Sequence, residues 1–410
     1  MSTLEVNKIT PVSGGTTVQV GESGDTINIP AGATIANAGT STGFGDSLRP
    51  NVSPIIINGN CAVAQRGTSV TGKTSTGIYT VDRMSAVIGS IGTYTIAQEA
   101  QTSGNAFANG FANAWRIDCT SADASPGASD QLEMQYTFEG QDLQVFKKGT
   151  ANAEKYTLAF WVKSNKTGTG NIQLKDKDNS NRQCTQSYTI SSADTWEHKV
   201  CVFGADTTGA MDDDNNKSLI INWWLGSGTD YSSGTANHGV WEAQDNTKVN
   251  DGGTLNINDN TANDWSITGI QLEVGEYTSS SLPPFQHESF GDNLQRCLRY
   301  FEKTYEVGTA PGTATGTGII RSGGNQGGRT SGRMGDSTTY VVGKRAAPTV
   351  VFFDSSGNSG VMSRVDQGSS SSTNQNATLA NGSSKSFEVT STGTSTGDVM
   401  NYHFTADAEL

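Results

Sequence analysis

Hydrophobic and polar residues alternate along much of the chain, as they do in strands that bury one face. Two segments carry apolar residues at every second position: Tyr156, Leu158, Phe160 and Val162, then Leu219, Ile221 and Trp223. In WSITGIQLEV, residues 265–274, this alternation shifts by one residue at Thr268 and Gly269. That shift predicts a β-bulge in which the glycine relieves the backbone. Strands at this spacing, with turns between them, predict an all-β, jelly-roll-like sandwich.

One segment has helical spacing instead. ESFGDNLQRCLRYF follows Pro283 and Pro284. Its apolar residues lie at positions i, i+3, i+4 and i+7: Leu294, Cys297, Leu298 and Phe301. Asp292 precedes them as a candidate N-cap. We predict one connecting helix that packs one face on a sheet.

These patterns divide the chain into four segments. They are a small N-terminal β segment (1–48), the β-sandwich (49–287), the connecting helix (288–304) and a C-terminal β domain (305–410). The first contains two short alternating strands, but too few apolar side chains to bury a core of its own. We expect it to fold against neighbours or copies of itself, as an attachment and oligomerisation segment or as an ordered leader.

The C-terminal segment has a weaker pattern. Strands are predicted near 339–342, 349–353, 385–389 and 399–404. The run QGSSSSTNQN, residues 367–376, has no large apolar residue and is predicted to be an exposed loop. In the sandwich, the side chains of Trp161, Trp196 and Trp265 lie within alternating strands and are expected in the core.

Charge and composition limit the possible partners. The net charge is −13, which argues against nucleic acid and anionic membrane surfaces because both attract a basic face. No apolar stretch approaches the ~20 residues of a spanning helix. The first residues, MSTLEVNKIT, have neither a basic nor an apolar leader region, so we expect synthesis and retention in a cytoplasm.

The cysteines do not form a recognisable motif. There are five, widely spaced and without a CxxC pair: Cys61, Cys119, Cys184, Cys201 and Cys297. An odd, scattered set fits neither a disulfide framework nor a zinc site. We predict small, buried apolar side chains.

Several strings are shared with one class of virion protein. They are IINGNCAVAQRG (56–67), VDRM (81–84), LAFWVKS (158–164), WSITGIQLEVGE (265–276), PPFQHES (283–289), CLRYF (297–301) and KRAAPT (344–349). Together they resemble bacteriophage tail-fibre and tail-tip proteins that carry a β-sandwich similar to a carbohydrate-binding module. The opening VNKITP with SGDTINIPAGAT is similar to the N-terminus of fibre proteins from aquatic phages.

The resemblance implies a structural protein of the phage tail, made in the host cytoplasm and assembled into the virion. It implies a homotrimer whose N-terminal segment contacts other tail proteins and whose sandwich faces a host surface glycan, with no membrane insertion. Two other classes stay open from the residues alone. One is a capsid or tail decoration protein without a receptor role, and the other is a glycan depolymerase.

Catalytic and metal motifs do not appear in the sequence. The clustered carboxylates, such as Asp176 with Asp178 and Asp259 with Asp264, lie in turn-forming contexts. No HExxH string occurs, and no GxSxG nucleophile elbow between a strand and a helix is predicted, so we expect no enzyme, no catalytic residue and no cofactor. The run from Asp212 lacks the glycine of a calcium loop. A divalent cation held by scattered oxygen ligands of a sandwich needs no linear motif and stays open.

Glycan binding depends on aromatic residues, because a sugar ring offers an apolar face to an aromatic ring. The polar segment from Gly226 to Gly253 carries Tyr231, His238 and Trp241. The adjacent Trp223 and Trp224 must face opposite sides of a strand, so one of them is exposed or covered. The predicted glycan-binding residues are Tyr231, His238, Trp241 and Trp224. Core or edge packing is the alternative for Trp241, and an exposed turn is the alternative for Tyr231.

Overall fold

The computed structural model describes residues 53–322, 333–365, 372–392 and 398–410. The predicted N-terminal β segment, 1–48, lies outside these residues. The strands of the first part are β1 (Ser69–Lys73), β2 (Ser85–Gly89), β3 (Thr93–Ala100), β4 (Asn113–Ser121), β5 (Gln131–Glu139), β6 (Tyr156–Lys163), β7 (Gly168–Asp176), β8 (Gln183–Ile190), β9 (Glu197–Phe203), β10 (Lys217–Ser227) and β11 (Asp264–Val274).

The remaining strands are shorter on average. They are β12 (Phe301–Lys303), β13 (Ile320–Ser322), β14 (Arg333–Thr339), β15 (Thr349–Phe353), β16 (Val361–Val365), β17 (Ser372–Asn376), β18 (Thr378–Ala380), β19 (Ser386–Thr392) and β20 (Val399–Asp407). The α-helices are α1 (Gly104–Ala108) and α2 (Phe290–Leu298). Short 3-10 helices span Gly140–Asp142, Gln144–Phe146, Asn246–Lys248 and Ile257–Asp259. In the described part of the chain, no helix is long and apolar enough to cross a membrane.

Strands β1 to β11 form a sandwich of two antiparallel sheets. Sheet A has the order β1-β3-β4-β11-β6-β9, and sheet B has the order β2-β5-β10-β7-β8. Their inner faces share one hydrophobic core, which contains every apolar residue of the alternating segments named above. The prediction of an all-β, jelly-roll-like sandwich is confirmed.

The predicted β-bulge lies where the apolar phase shifts. The pairing of β11 with β6 changes register between Thr268 and Gln271, and Gly269 has a φ of 60°. A Cβ atom on Gly269 would lie 2.7 Å from Cζ of Phe111 and 2.9 Å from Cδ1 of Trp161. Glycine is therefore required here both by the left-handed backbone and by the close packing.

The buried positions agree with the predictions except for one tryptophan. All five cysteines are buried free thiols, as expected.

Trp196 and Trp265 are buried, but Trp161 is only partly buried, and its ring centre lies 4.9 Å from that of His198. The prediction for Trp161 was wrong because it follows Phe160 directly in β6 and therefore points to the outer face of sheet A.

Helix α2 lies where it was predicted, but its ends differ. Its N-cap is Ser289, whose Oγ accepts a hydrogen bond from the Asp292 nitrogen at 3.1 Å, so the prediction of Asp292 as N-cap was wrong. Phe301 belongs to β12, which pairs with β20. Of the predicted face, Cys297 and Phe301 are buried, whereas Leu294 and Leu298 are only partly buried. Because the cap is Ser289, three residues before the predicted cap, the helix begins one turn earlier, at Phe290.

Strands β12 to β20 form two further antiparallel sheets. One has the order β12-β20-β16-β17, with β13 and β15 also paired to β20, and the other has the order β14-β19-β18. The strand predicted at 349–353 is confirmed, but the one predicted at 339–342 was wrong, since β14 ends at Thr339. Residues 372–376 form β17 rather than a loop, because pairing with β16 uses backbone groups and needs no apolar side chain.

Candidate functional site

The outer face of sheet B carries a row of amide side chains that crosses four strands. Gln135 donates to Asn222 (2.9 Å), Asn222 to Gln173 (2.9 Å) and Gln173 to Gln183 (3.1 Å). These residues belong to β5, β10, β7 and β8, and we call them the amide ladder. Because an amide both donates and accepts hydrogen bonds, each member can hold its neighbour, and the half-buried Gln135 also presents a polar group to solvent.

The ladder is open at one end and covered at the other. Gln135 is half-buried, whereas Gln183 is fully buried and donates to the carbonyl of Asp245 at 2.9 Å. The segment that covers it belongs to the polar loop predicted from the sequence. A ligand would therefore reach the ladder from the β5 side of the face.

A second row lies beside the ladder on the same face. Glu133, Trp224 and Asn171 are direct cross-strand partners on β5, β10 and β7, and we call them the buried row. Their exposed fractions are 4%, 3% and 0%. Burial raises the pKa of Glu133 to about 8, and the charge of Lys175 offsets this only in part. The row combines an indole, an amide and a carboxyl group that is protonated near neutral pH.

Residues 228–253, the covering loop, lie over the buried row. The Tyr231 ring packs on Trp224 with a centroid distance of 5.0 Å and an angle of 36° between the planes. The Asn171 amide nitrogen donates to Asn250 Oδ1 (3.1 Å) and to the Asp251 carbonyl (2.9 Å). The loop is thus joined to the sheet face through one aromatic contact and one amide.

The four predicted glycan-binding residues occupy three different environments. Trp224 and Tyr231 lie together on the outer face of sheet B, and Tyr231 remains half-buried. His238 is exposed further along the covering loop. Trp241 is 8% exposed and packs in the sandwich core, where its Nε1 donates to the Gly204 carbonyl at 2.8 Å. Core packing, the alternative for Trp241, is what the structure shows.

Sequence reasoning did not single out the amide ladder or Glu133. A signal was present in β5, where Gln131, Glu133 and Gln135 alternate with apolar residues. The segment Asn171, Gln173, Lys175 shows the same alternation in β7. Two strands with amides or charges on one face indicate a polar outer surface, but not which strands are neighbours.

The carboxylates first assigned to turns also form ion pairs. Asp176 Oδ1 accepts hydrogen bonds from the Asp178 and Asn179 nitrogens, as a turn residue does, while Oδ2 lies 2.5 Å from Lys148 Nζ. Asp264 pairs with Arg116 at 2.8 Å. In the residues that the structure covers, no three His, Cys, Asp or Glu side chains are grouped as metal ligands would be.

Replacing Glu133 by Gln is expected to change how stability depends on pH. The folded-state pKa of about 8 exceeds the unfolded value of ~4.3, so the native state holds the proton more tightly. Stability from this group is fully present below pH ~4.3 and is lost as the pH rises towards 8. The variant should therefore gain free energy of unfolding relative to the parent as the pH rises, with the gain levelling off above pH 8. Urea unfolding at pH 5, 7 and 9 measures this.

Glu306 provides the control, because it is an exposed carboxylate. Glu306→Gln should shift stability equally at all three pH values. A pH-independent difference between Glu133→Gln and the parent would show that Glu133 titrates normally in the folded state.

Comparison with known proteins gives matches only among solved structures. No protein-family model and no curated protein sequence matches the chain. The enzymatically active domain of tailspike protein 4 from bacteriophage CBA120 is 12% identical over 54% of this chain, with a TM-score of 0.27. The match covers 21% of that tailspike chain.

Two sugar-related structures give similar values. A protein from Bacteroides thetaiotaomicron described as sugar binding is 14% identical over 54% of this chain and 100% of its own, with a TM-score of 0.29. A xylan-binding domain of carbohydrate-binding module family 22 is 11% identical over 52% of this chain and 97% of its own, with a TM-score of 0.26. Similarity at this level does not assign a ligand or an activity to this chain.

Proposed function

We propose that this chain is a structural, non-enzymatic virion protein of the bacteriophage tail-fibre type, and that its sandwich binds a glycan on the host surface. The observation that carries the proposal is the amide ladder on the outer face of sheet B, beside the half-buried ring of Tyr231. The shared strings listed in the sequence analysis support the virion assignment.

The chemistry of the face suits a sugar. Sugar hydroxyls donate and accept hydrogen bonds, as does the half-buried side-chain amide of Gln135. The Tyr231 ring supplies an apolar surface of the kind that packs against a pyranose ring. The net charge of −13 does not favour a polyanionic ligand in the absence of a bridging cation.

Attachment to the particle is assigned to residues 1–48. In this proposal the segment joins the chain to other tail proteins and to two sister chains, so that several sandwiches face the host together. A shallow site binds one glycan weakly, and several linked sites can raise the avidity ~10²–10⁴-fold when the geometry allows. A homotrimer on a multivalent tail would meet that requirement.

Glycan-array binding followed by one point variant tests the proposal. Gln135→Ala removes the accessible end of the ladder and should weaken binding to the captured glycan about fivefold or more, since a hydrogen-bond partner is lost. Affinity is measured by calorimetry on the full chain.

The matched control is Gln295→Ala, which changes an exposed glutamine of α2 and should leave affinity unchanged. If no glycan on the array is bound, the receptor role is wrong and a decoration protein is the better assignment. If the bound glycan polymer is shortened on incubation, the non-enzymatic assignment is wrong and the chain is a depolymerase.

A further inference from the structure

Three atoms of the buried row have no hydrogen-bond partner among the described residues. They are Glu133 Oε2, Trp224 Nε1 and Asn171 Oδ1, and each belongs to a side chain that is more than nine-tenths buried. Buried polar atoms without partners are costly and uncommon in native proteins. The three lie on neighbouring strands of one outer face and form a set that a polar ligand would complete.

The three residues are cross-strand neighbours on one face of sheet B. Trp224 is the direct cross-strand partner of both Glu133 and Asn171, and such partners have Cβ atoms ~5 Å apart. The oxygen and nitrogen of the Asn171 side-chain amide cannot be exchanged by a flip, because the nitrogen already donates to Asn250 Oδ1 and to the Asp251 carbonyl. Its oxygen is therefore an acceptor.

Because the Glu133 carboxyl is protonated near neutral pH, the set offers two donors, at Trp224 and Glu133, and one acceptor, the Asn171 oxygen. A hydroxyl group both accepts and donates, so it can accept from Trp224 Nε1 or from the Glu133 carboxyl and donate to Asn171 Oδ1. A carboxylate or sulfate brings only acceptors, so it would leave the Asn171 oxygen without a hydrogen-bond donor. The balance of donors and acceptors thus selects a hydroxyl-bearing, uncharged group.

We propose that Glu133, Trp224 and Asn171 form a buried subsite that binds hydroxyl groups of a neutral sugar beneath the Tyr231 ring. This inference rests on the proposed glycan-binding function and names its ligand class. Because Asn171 and Tyr231 connect the row to the covering loop, occupation of the subsite involves displacement of that loop from the sheet face.

A variant that removes the N–H donor of Trp224 but keeps an aromatic ring at this position tests the subsite. Trp224→Phe should weaken binding of the captured neutral oligosaccharide about fivefold, as expected for one lost hydrogen bond. Its melting temperature without ligand should stay the same or rise, because the donor that is removed has no partner in the protein. Glu133→Met is the second variant and should also weaken binding without lowering stability, because it removes the carboxyl group and retains most of the side-chain volume.

Trp196 supplies the matched control, since its Nε1 donates to Gln101 Oε1 at 3.1 Å. Trp196→Phe should lower the melting temperature and leave affinity unchanged. If Trp224→Phe instead lowers the melting temperature and keeps full affinity, the row is a structural element and the subsite is wrong.

The ligand class is tested with short neutral gluco-, galacto- and xylo-oligosaccharides beside oligogalacturonic acid fragments. Binding of a neutral member in preference to the acidic fragments supports the subsite. Binding of the acidic fragments alone, with sensitivity to Gln135→Ala, overturns the subsite and leaves the proposed function intact. Binding of none of these probes or of any array glycan overturns both.

Discussion

Replacing Lys148 by Met is expected to lower the free energy of unfolding by about 3–5 kcal/mol. Lys148 is a buried ammonium group between two buried carboxylates, at 2.5 Å from Asp176 Oδ2 and 3.1 Å from Asp206 Oδ2. It also donates to the carbonyls of Thr208 (3.0 Å) and Gly209 (2.8 Å). Methionine retains most of the volume but leaves both carboxylates without this cation.

The neighbouring lysine is a matched control for this experiment. Lys147 is exposed and pairs with Glu154 at 2.7 Å on the surface. Lys147→Met should cost less than about 1 kcal/mol, because exposed ion pairs contribute little. Urea unfolding of both variants at pH 7 gives the comparison, and equal losses would contradict the assignment of Lys148 as the cation that holds the cluster together.

Replacing Arg83 by Met is expected to cost a similar amount, about 3–5 kcal/mol. Arg83 donates to the Thr137 carbonyl at 2.6 Å and pairs with Glu409, and its guanidinium lies 3.5 Å from the centre of the Tyr300 ring. The side chain is almost fully buried. After its loss, the Glu409 carboxylate still pairs with Arg66, which lies 3.4 Å away.

This second variant tests how the sandwich is joined to the C-terminal strands. Arg83 and Thr137 belong to the sandwich, whereas Glu409 lies two residues beyond the end of β20. Thermal unfolding of Arg83→Met is compared with that of Arg321→Met, which changes an exposed arginine of β13 and should alter stability by less than about 0.5 kcal/mol. A loss no larger than that of the control would show that the buried pair does not support the joint.

Local patterns predicted the sandwich well. Alternation identified the core residues of β6, β10 and β11 because side chains on a strand point to opposite faces whatever its neighbours are. The bulge at Gly269 was also predicted, since a phase shift beside a glycine is visible in the chain itself. The errors at Ser289 and Trp161 were local, whereas the error at residues 372–376 came from a partner strand. Ser289 rather than Asp292 caps α2, and residues 372–376 became a strand by pairing with β16.

The candidate site depended on contacts between distant segments. The sequence by itself determined an all-β chain with a polar outer face on some strands and two adjacent tryptophans that had to point in opposite directions. Only the tertiary structure decided that Gln135, Asn222 and Gln173 form one ladder and that Trp224 lies between Glu133 and Asn171. Only the tertiary structure placed Trp241 in the core and Tyr231 over the buried row. The face on which a side chain lies depends on the residue's own position in its strand. Its neighbours across the sheet depend on strand order and register, and these bring together residues that are far apart in the chain.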